Sequence, residues 1–574
     1  MIAPAKPKLQ PKIQPDFPTL SQREIRWGQA LLITFVLLVS LPYLWCYLLT
    51  PPGMTWGGLL FSAEDQNVHL MWARQAQEGA FFVRDLFTTE GLVSGDRPLF
   101  FNLFAFGLGW FARLSHLDVM AGYHIARVAF AGLFVHQLHR LLVTATEGAP
   151  EKENARLGGL ALAVLSTGGG FWLSLFHSFA QRIIFLDHPT KSGFLPVPEG
   201  FALLSALIYP LNIASFALLC FLLRCLIEQK PREPIKAFVA ALILSNIHTY
   251  DALPLLLTCG IGLGWSLLRR EPVKEKLPMW SAVFFGLLLP VVYQALVFRD
   301  SAEFHIKALT PTSPPVIWGI LSTFAPLLLL SACAWHFRWA KSSSRWLLIY
   351  ALSVLTLVYL PKSPSLLVQA LFMPHQVFDK FYFFSFARKM IEGFQIPLLV
   401  FAGAGLASLP GRKFLAPLVI AVCAVSPFVF FNWTLVNAAQ NSVRGLMPPF
   451  YLSDANASAL LALQRVPERN TAVLCLPLIG SYVPRATGLF TYTGHWAETL
   501  HLRSKLGEEM SFYRGQMSPD EARAFLKNNR IGYIIESPFE RALAPNPSTA
   551  RALGFKAIYS ASSPEGETVI YQVN

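Results

Sequence analysis

GQALLITFVLLVSLPYLWCYLL, residues 28–49, carries no charged side chain over 22 consecutive positions, and Lys6, Lys8, Lys12, Arg23 and Arg26 precede it. Backbone N–H and C=O groups in hydrocarbon must be satisfied within a helix or a closed barrel, so a run of this length reads as a membrane-spanning helix. It is too long, and lacks a small-residue cleavage site, for a removed signal peptide. The basic flank puts residues 1–27 in the cytoplasm.

The pattern recurs along the chain. Further spans are expected at 119–141, 157–176, 201–223, 236–251, 253–268, 278–298, 315–337, 346–360, 394–409 and 414–436, about eleven in all. Hydrophobic residues make up 53% of the chain and charged residues 14%. Soluble domains sit near a quarter charged, which excludes an ordinary globular enzyme. The formal charge of +13 gathers in short loops, Arg224 to Lys236, Arg269 to Lys276, Arg338 to Arg345 and Arg412-Lys413. These read as cytoplasmic loops near anionic lipid rather than as a nucleic-acid surface. Alternation then places 143–156 inside and 50–118 outside, provided that the short apolar stretch 98–113 lies on the outer leaflet. Eleven crossings put the C-terminal domain outside. Six of the seven cysteines fall in apolar runs and only Cys475 lies beyond them, without CxxC or zinc spacing, so the thiols read as small core residues.

The expected fold class is thus an α-helical polytopic membrane protein with a small C-terminal exterior α/β domain. Its parts are a cytoplasmic tail (1–27), a transmembrane domain (28–436) with a first outer loop (50–118), and an exterior domain (437–574). Ser453 reads as the N-cap of a helix through Val466. Ser518-Pro519-Asp520-Glu521 is a capping box with proline at the first helical position. Residues 471–477, 531–536, 555–560 and 567–573 read as strands, and their alternation with helices argues α/β.

Chemistry-bearing residues collect in three places. In the first outer loop, Asp65 and His69 fall four apart on an expected helix from Asp65 to Glu78, sharing a face. A carboxylate with an imidazole in reach suits a general base for a sugar hydroxyl. Glu64 and Asp65 equally suit the first turn of a helix, where the dipole favours acids. Arg97 follows at an Arg-Pro step. In a second outer loop, 361–397, Arg388 suits bidentate contact with a lipid phosphate, aided by Lys380 and Lys389. A helical ion pair between Arg388 and Glu392 is the plainer reading. Third, Asn246 to Asp251 puts His248 and Asp251 at the end of a helix that turns straight back, where polar groups usually line a cavity. There the plainer reading is a cap made by Asp251. Arg127, with His124, and Lys307, with Asp300 and His305, are candidates of the same kind. His495-Trp496-Ala497-Glu498 is an H-x-x-E pair, read as a satisfied surface turn rather than a metal site.

Glu64-Asp65, Trp72-Ala73-Arg74-Gln75-Ala76, Gly79-Ala80-Phe81-Phe82, Arg97-Pro98-Leu99, Tyr123-His124-Ile125-Ala126-Arg127 and Arg388-x3-Glu392-Gly393-x2-Ile396-Pro397 follow one another in this order. With the exterior α/β domain, they resemble the C-type (GT-C) glycosyltransferase superfamily, in a little-characterised bacterial branch. The resemblance covers most of the chain through short motifs. Better-known members carry Asp-Glu where this chain has Glu-Asp. Asp65 is taken as the base for its spacing to His69 and the Ala-Arg-Gln-Ala helix. The resemblance implies inverting transfer of a sugar from a polyprenyl-phosphate donor to a lipid, glycan or protein acceptor, on the outer face of the cytoplasmic membrane. Asp65 would deprotonate the acceptor, and Arg388, with His248 or Lys307, would hold the departing phosphate. Some members use a divalent metal and others none. A transporter or flippase would instead show repeated halves and midplane charges, and a scaffold would need no clustered acid and arginine; no internal repeat is evident.

Overall fold

The computed structural model describes residues 20–573, except 61, 96, 148–150, 169–199, 302, 305–316, 337–343, 362–386, 440–449 and 545–546. The 28–49 run becomes a helix over Gln22–Leu48, started by Ser21, whose hydroxyl accepts the Glu24 N–H. At 1.5 Å per residue, 27 residues reach about 40 Å, enough to cross a bilayer core. Two of its faces are apolar. Phe35, Val39, Tyr43 and Cys46 are buried, while Ile33, Leu37, Leu41, Leu44 and Leu48 stay exposed. A helix in water hides its apolar side and shows a polar one, so the exposed stripe marks contact with lipid.

Among the described residues, seven helices are long and apolar enough to cross a membrane: Gln22–Leu48, Val119–Ala145, Pro210–Glu228, Thr249–Leu268, Val273–Asp300, Arg388–Ser408 and Arg412–Val429. Pro234–Ile247, Ala325–Ala334 and Arg345–Val358 are apolar but shorter. Lys152–Leu165 starts the expected 157–176 span, whose remainder from 169 lies outside the described residues. Leu103–Ser115 packs against Ala63–Gln77 and Val119–Ala145. The break expected between 251 and 253 falls instead at His248, which leaves Asp251 inside the first turn of Thr249–Leu268 rather than capping the preceding helix.

Small residues let the buried helices touch backbone to backbone. A Cβ on Gly403 would sit 2.4 Å from the Ala155 carbonyl oxygen, and one on Gly405 1.8 Å from that of Leu330. Such close approach supplies dispersion contact where lipid removes the hydrophobic drive between helices. One end of the bundle is tied by ion pairs. Arg156 lies 3.4 Å from Glu24, Arg23 3.0 Å from Glu153, and Arg412 2.8 Å from Glu151. Thr144 donates to Glu228 at 2.5 Å, joining the Arg224 to Lys236 loop to that end.

The C-terminal region holds a mixed five-stranded sheet in the order β4-β3-β5-β7-β6. Its strands are β3 (Ala472–Leu474), β4 (Phe490–Thr491), β5 (Ile531–Glu536), β6 (Lys556–Ser563) and β7 (Gly566–Gln572). β3 runs parallel to β4 and β5, and β7 runs antiparallel to β5 and β6. Ser453 caps Asp454–Gln464, and the Ser518–Glu521 box opens Pro519–Asn528, as expected. A two-stranded ribbon escaped the sequence reading. β1 (Met54–Trp56) pairs with β2 (Tyr451–Ser453), joining the first loop to the start of the C-terminal region.

That joint continues as a shared core. Val68, Met71, Leu86, Phe87 and Leu92 from the first loop pack in one apolar cluster with Phe490, Tyr492 and Phe512. Polar contacts fix its register. Thr491 N–H donates to the Leu86 carbonyl at 2.8 Å, the Thr499 hydroxyl to Phe87 at 2.9 Å, and Lys505 Nζ to Glu90 at 2.8 Å. The sheet therefore cannot sit elsewhere without opening a core.

Two outcomes follow. Gly405→Val forces the helices apart and is expected to cost about 1–3 kcal/mol, seen as a lower melting temperature in detergent, whereas Gly260→Val, whose added Cβ meets nothing within 4 Å, leaves it unchanged. Phe87→Ala empties a fully buried site, at a cost of about 3–5 kcal/mol, and is expected to speed limited proteolysis of residues 451–572 ahead of the helical part.

Candidate active site

The site is built where three elements meet: the start of Ala63–Gln77, the membrane-helix ends around Tyr209, His248 and Lys389, and the turn at His495. The helix Ala63–Gln77 follows Ser62, held at φ 39°, and brings Glu64 and Asp65 into its first turn. Asp65 is the focus. The Tyr209 hydroxyl donates to its Oδ2 at 3.0 Å, and the His495 Nε2–H donates to its Oδ1 at 3.2 Å. Though surrounded by protein, the Asp65 side chain remains 41% accessible, as a group lining a deep cleft would.

Burial alone would raise the Asp65 pKa. The His495 hydrogen bond, the Lys389 ammonium and the Tyr209 hydrogen bond outweigh it and hold the carboxyl below the usual carboxylate range. Its neighbour Glu64 shifts the other way, raised by burial and by the Asp65 charge. The two adjacent acids are thereby distinguished, with Asp65 ionised and accessible and Glu64 buried. Burial presses the His69 ring down to about 4, against the opposing pull of Asp65, so it stands neutral at physiological pH. Its ring centroid lies 6.0 Å from that of Tyr209 and 5.7 Å from that of Trp72, and its Nδ1 has no hydrogen-bond partner.

Behind Asp65 runs a second polar chain. His248 Nδ1 lies 3.1 Å from Asp251 Oδ2 and its Nε2 3.1 Å from Glu392 Oε2. Ser215 donates to Asp251 at 2.7 Å, and Asn212 to Glu392 at 3.0 Å. With both ring nitrogens taken, His248 has none left for a phosphate in this arrangement, unlike the direct contact expected of it. Asp251 is fully buried and occupied by His248 and Ser215.

Residues Ala387–Phe394 form a 3₁₀ helix, which brings a second cation to Glu392. At three residues per turn, position 389 rather than 388 stands over 392. Lys389 Nζ accordingly lies 3.7 Å from Glu392 Oε1. Lys389 also acts electrostatically on both Asp65 and His69. Arg388 is one residue away and partly exposed.

Other candidates fall elsewhere. Arg127 is buried against the first helix, its Nη1 donating to the Val39 carbonyl and its guanidinium 4.0 Å from the Tyr43 ring centre, so it joins two helices. Arg97 is exposed on its loop. Lys307 and Lys380 lie outside the described residues. Among the described residues, no three His, Cys, Asp or Glu side chains converge as metal ligands.

His495 and Tyr209 were not singled out for this site from the sequence. The H-x-x-E at 495–498 is no surface turn, because His495 is buried. Its Nδ1 accepts the backbone N–H groups of Ala497 and Glu498, each at 3.0 Å. The available signal was local. Thr493, Gly494 and Thr499 flank His495 with the small and hydroxyl-bearing residues that a tight, buried turn requires. A Cβ on Gly494 would come 2.8 Å from the Gly480 oxygen and 2.9 Å from the Phe87 ring.

No protein-family model matches the chain, and no curated protein matches it. Among solved structures it is similar to the oligosaccharyltransferase of Archaeoglobus fulgidus. Against the apo form, identity is 12% and the TM-score 0.43, covering 96% of this chain and 75% of the other. Against that enzyme, AglB, in complex with an inhibitory peptide and a dolichol-phosphate, identity is 12% and the TM-score 0.41, with the same coverage. Against the form tethered to an acceptor peptide, identity is 11% and the TM-score 0.39, covering 95% and 74%.

Proposed function

We propose that this chain is a membrane glycosyltransferase that moves a sugar from a polyprenyl-phosphate donor to an acceptor hydroxyl or amide, with inversion, at the outer face of the cytoplasmic membrane. The observation that carries it is Asp65: ionised, accessible, held at two oxygens, acted on by the Lys389 charge, and set where the membrane helices meet the C-terminal region.

A general base must hold its charge and reach a proton, and Asp65 meets both conditions. Its carboxylate takes the proton of the acceptor. The freed oxygen or nitrogen then forms a bond to the anomeric carbon as that carbon's bond to the phosphate oxygen breaks. The electron pair leaves with the phosphate, whose added charge falls to Lys389 and Arg388. His248, engaged at both nitrogens, serves as a positioning residue that orders Glu392 and, through it, Lys389. His69 and Trp72 present an aromatic wall with an unpartnered ring nitrogen apiece, suited to a sugar. The long run of lipid-exposed helices supplies the surface along which a polyprenyl chain would approach.

The buried Asp251–His248–Glu392 chain also supports a second reading, proton-coupled transport of a lipid-linked saccharide, since such chains carry protons in membrane carriers. Reconstituted vesicles separate the two. Saccharide crossing driven by a pH gradient, without covalent transfer, would favour the carrier.

With radiolabelled polyprenyl-phosphate sugars and envelope extract, Asp65→Asn is expected to lower incorporation by roughly 100-fold or more, and equal incorporation would remove Asp65 from the mechanism. Lys389→Met is expected to lose about 10-fold or more in kcat through the departing phosphate. Because the Asp65 carboxyl is held below the usual carboxylate range, wild-type rates should show no acid limb from this group between pH 5 and 8.

A further inference from the structure

The contact between His495 and Asp65 spans 430 residues of sequence and joins two separately built parts of the molecule. Its geometry specifies more than proximity. Two backbone N–H groups point at His495 Nδ1, which can therefore only accept. The ring proton must then reside on Nε2, the atom facing Asp65 Oδ1. The surrounding carboxylates, Asp65, Glu64 and Glu498, favour a second proton on the ring, but the backbone donors leave no acceptor for it at Nδ1. His495 is thus held as a neutral donor.

The turn that presents it is clamped to the first loop. Gly494 and His495 N–H groups both donate to Thr499 Oγ1 at 3.1 Å, and that hydroxyl donates to the Phe87 carbonyl at 2.9 Å. Leu500 N–H donates to Thr88 Oγ1 at 3.2 Å. The His495 ring packs 5.6 Å from the Phe87 ring. Every element that orients the imidazole therefore depends on the seating of the C-terminal region over residues 87–88.

We propose that His495 is an interdomain positioning residue, through which the seated C-terminal region orients the Asp65 carboxylate, so that the base is aligned for its acceptor only while the two parts are docked. This rests on the reading of Asp65 as the base. The proton on Nε2 is shared and not given up. When Asp65 takes the acceptor's proton, His495 keeps its own, and its hydrogen bond fixes the plane of the carboxylate while each oxygen retains a lone pair for that proton. Tyr209 does the same from the membrane side at Oδ2. The groups facing the pair are Glu64, His69, Tyr209, Lys389 and Glu498.

The test is made on the full-length protein in detergent. Carbodiimide reacts with a protonated carboxyl, so above the pKa its rate at Asp65 follows the protonated fraction, read by mass spectrometry and normalised to exposed Asp520. Removing a hydrogen bond that favours the carboxylate raises its pKa, and about one unit multiplies labelling about tenfold. His495→Phe is expected to label about tenfold faster at pH 6. His495→Gln, which returns an amide N–H near the Nε2 position, should restore most of the protection. Thr499→Val, which loosens the turn without touching Asp65, should label faster as well, and it serves if His495→Phe does not fold. In the transfer assay, His495→Phe should lower kcat while His495→Gln restores most of it, where a merely structural loss would not follow the return of a donor at the Nε2 position. Wild-type labelling rates in His495→Phe and Thr499→Val overturn the proposal. Absence of transfer by wild type, with the labelling shifts present, would instead sink the transferase reading and leave the positioning role standing.

Discussion

The apolar core that the first loop shares with the C-terminal sheet is the contact on which the site depends. Met71 and Phe87 are fully buried, yet neither is covered by its own segment alone. Burying large side chains in this way gives the joint the character of a domain interior rather than of a loose interface. Hydrogen bonds then set the register, and only in that register does the His495 turn reach Asp65. The membrane helices contribute from below, bringing Tyr209, His248 and Lys389 to the same place.

The arrangement also divides electrostatic labour. Asp251 and Glu392 share His248, and Lys389 adds a second positive group at Glu392, within buried surroundings where an unpaired charge would be costly. Asp65 has neutral hydrogen-bond donors and the pull of the Lys389 ammonium, but it keeps an accessible flank. A charge that is satisfied from behind and open in front is available for chemistry without destabilising its surroundings. Asp65 and Glu64 show that one position along a helix is enough to separate these fates.

Much of the fold was legible in the sequence because its causes are local. Uncharged runs such as 28–49 can do little but cross a membrane, and the Ser518 capping box states where a helix starts. Asp65, His248, Asp251 and Glu392 stood out because charged groups in apolar surroundings need a reason. What could not be read depends on distant partners. Nothing within 493–499 says that its histidine meets a carboxylate 430 positions earlier, and β1 is too short to announce a strand without β2 beside it. The Lys389 contact with Glu392 was missed for a subtler reason: the spacing was read at 3.6 residues per turn, and the segment winds at three.

The ribbon between Met54–Trp56 and Tyr451–Ser453 has a consequence for how the protein is made. Its two strands leave the ribosome almost 400 residues apart, a separation seen in the Thr55 to Asp454 hydrogen bond at |i−j| of 399. At roughly 5–20 residues per second, that interval is on the order of tens of seconds. Throughout it, Val68, Met71 and Phe87 lack the surface that will cover them, and the nascent chain must be shielded from aggregation or premature degradation. The contact between His495 and Asp65 therefore forms only after the C-terminal region has been made, so that a chain that stops short of that region inserts its helices without completing that cluster.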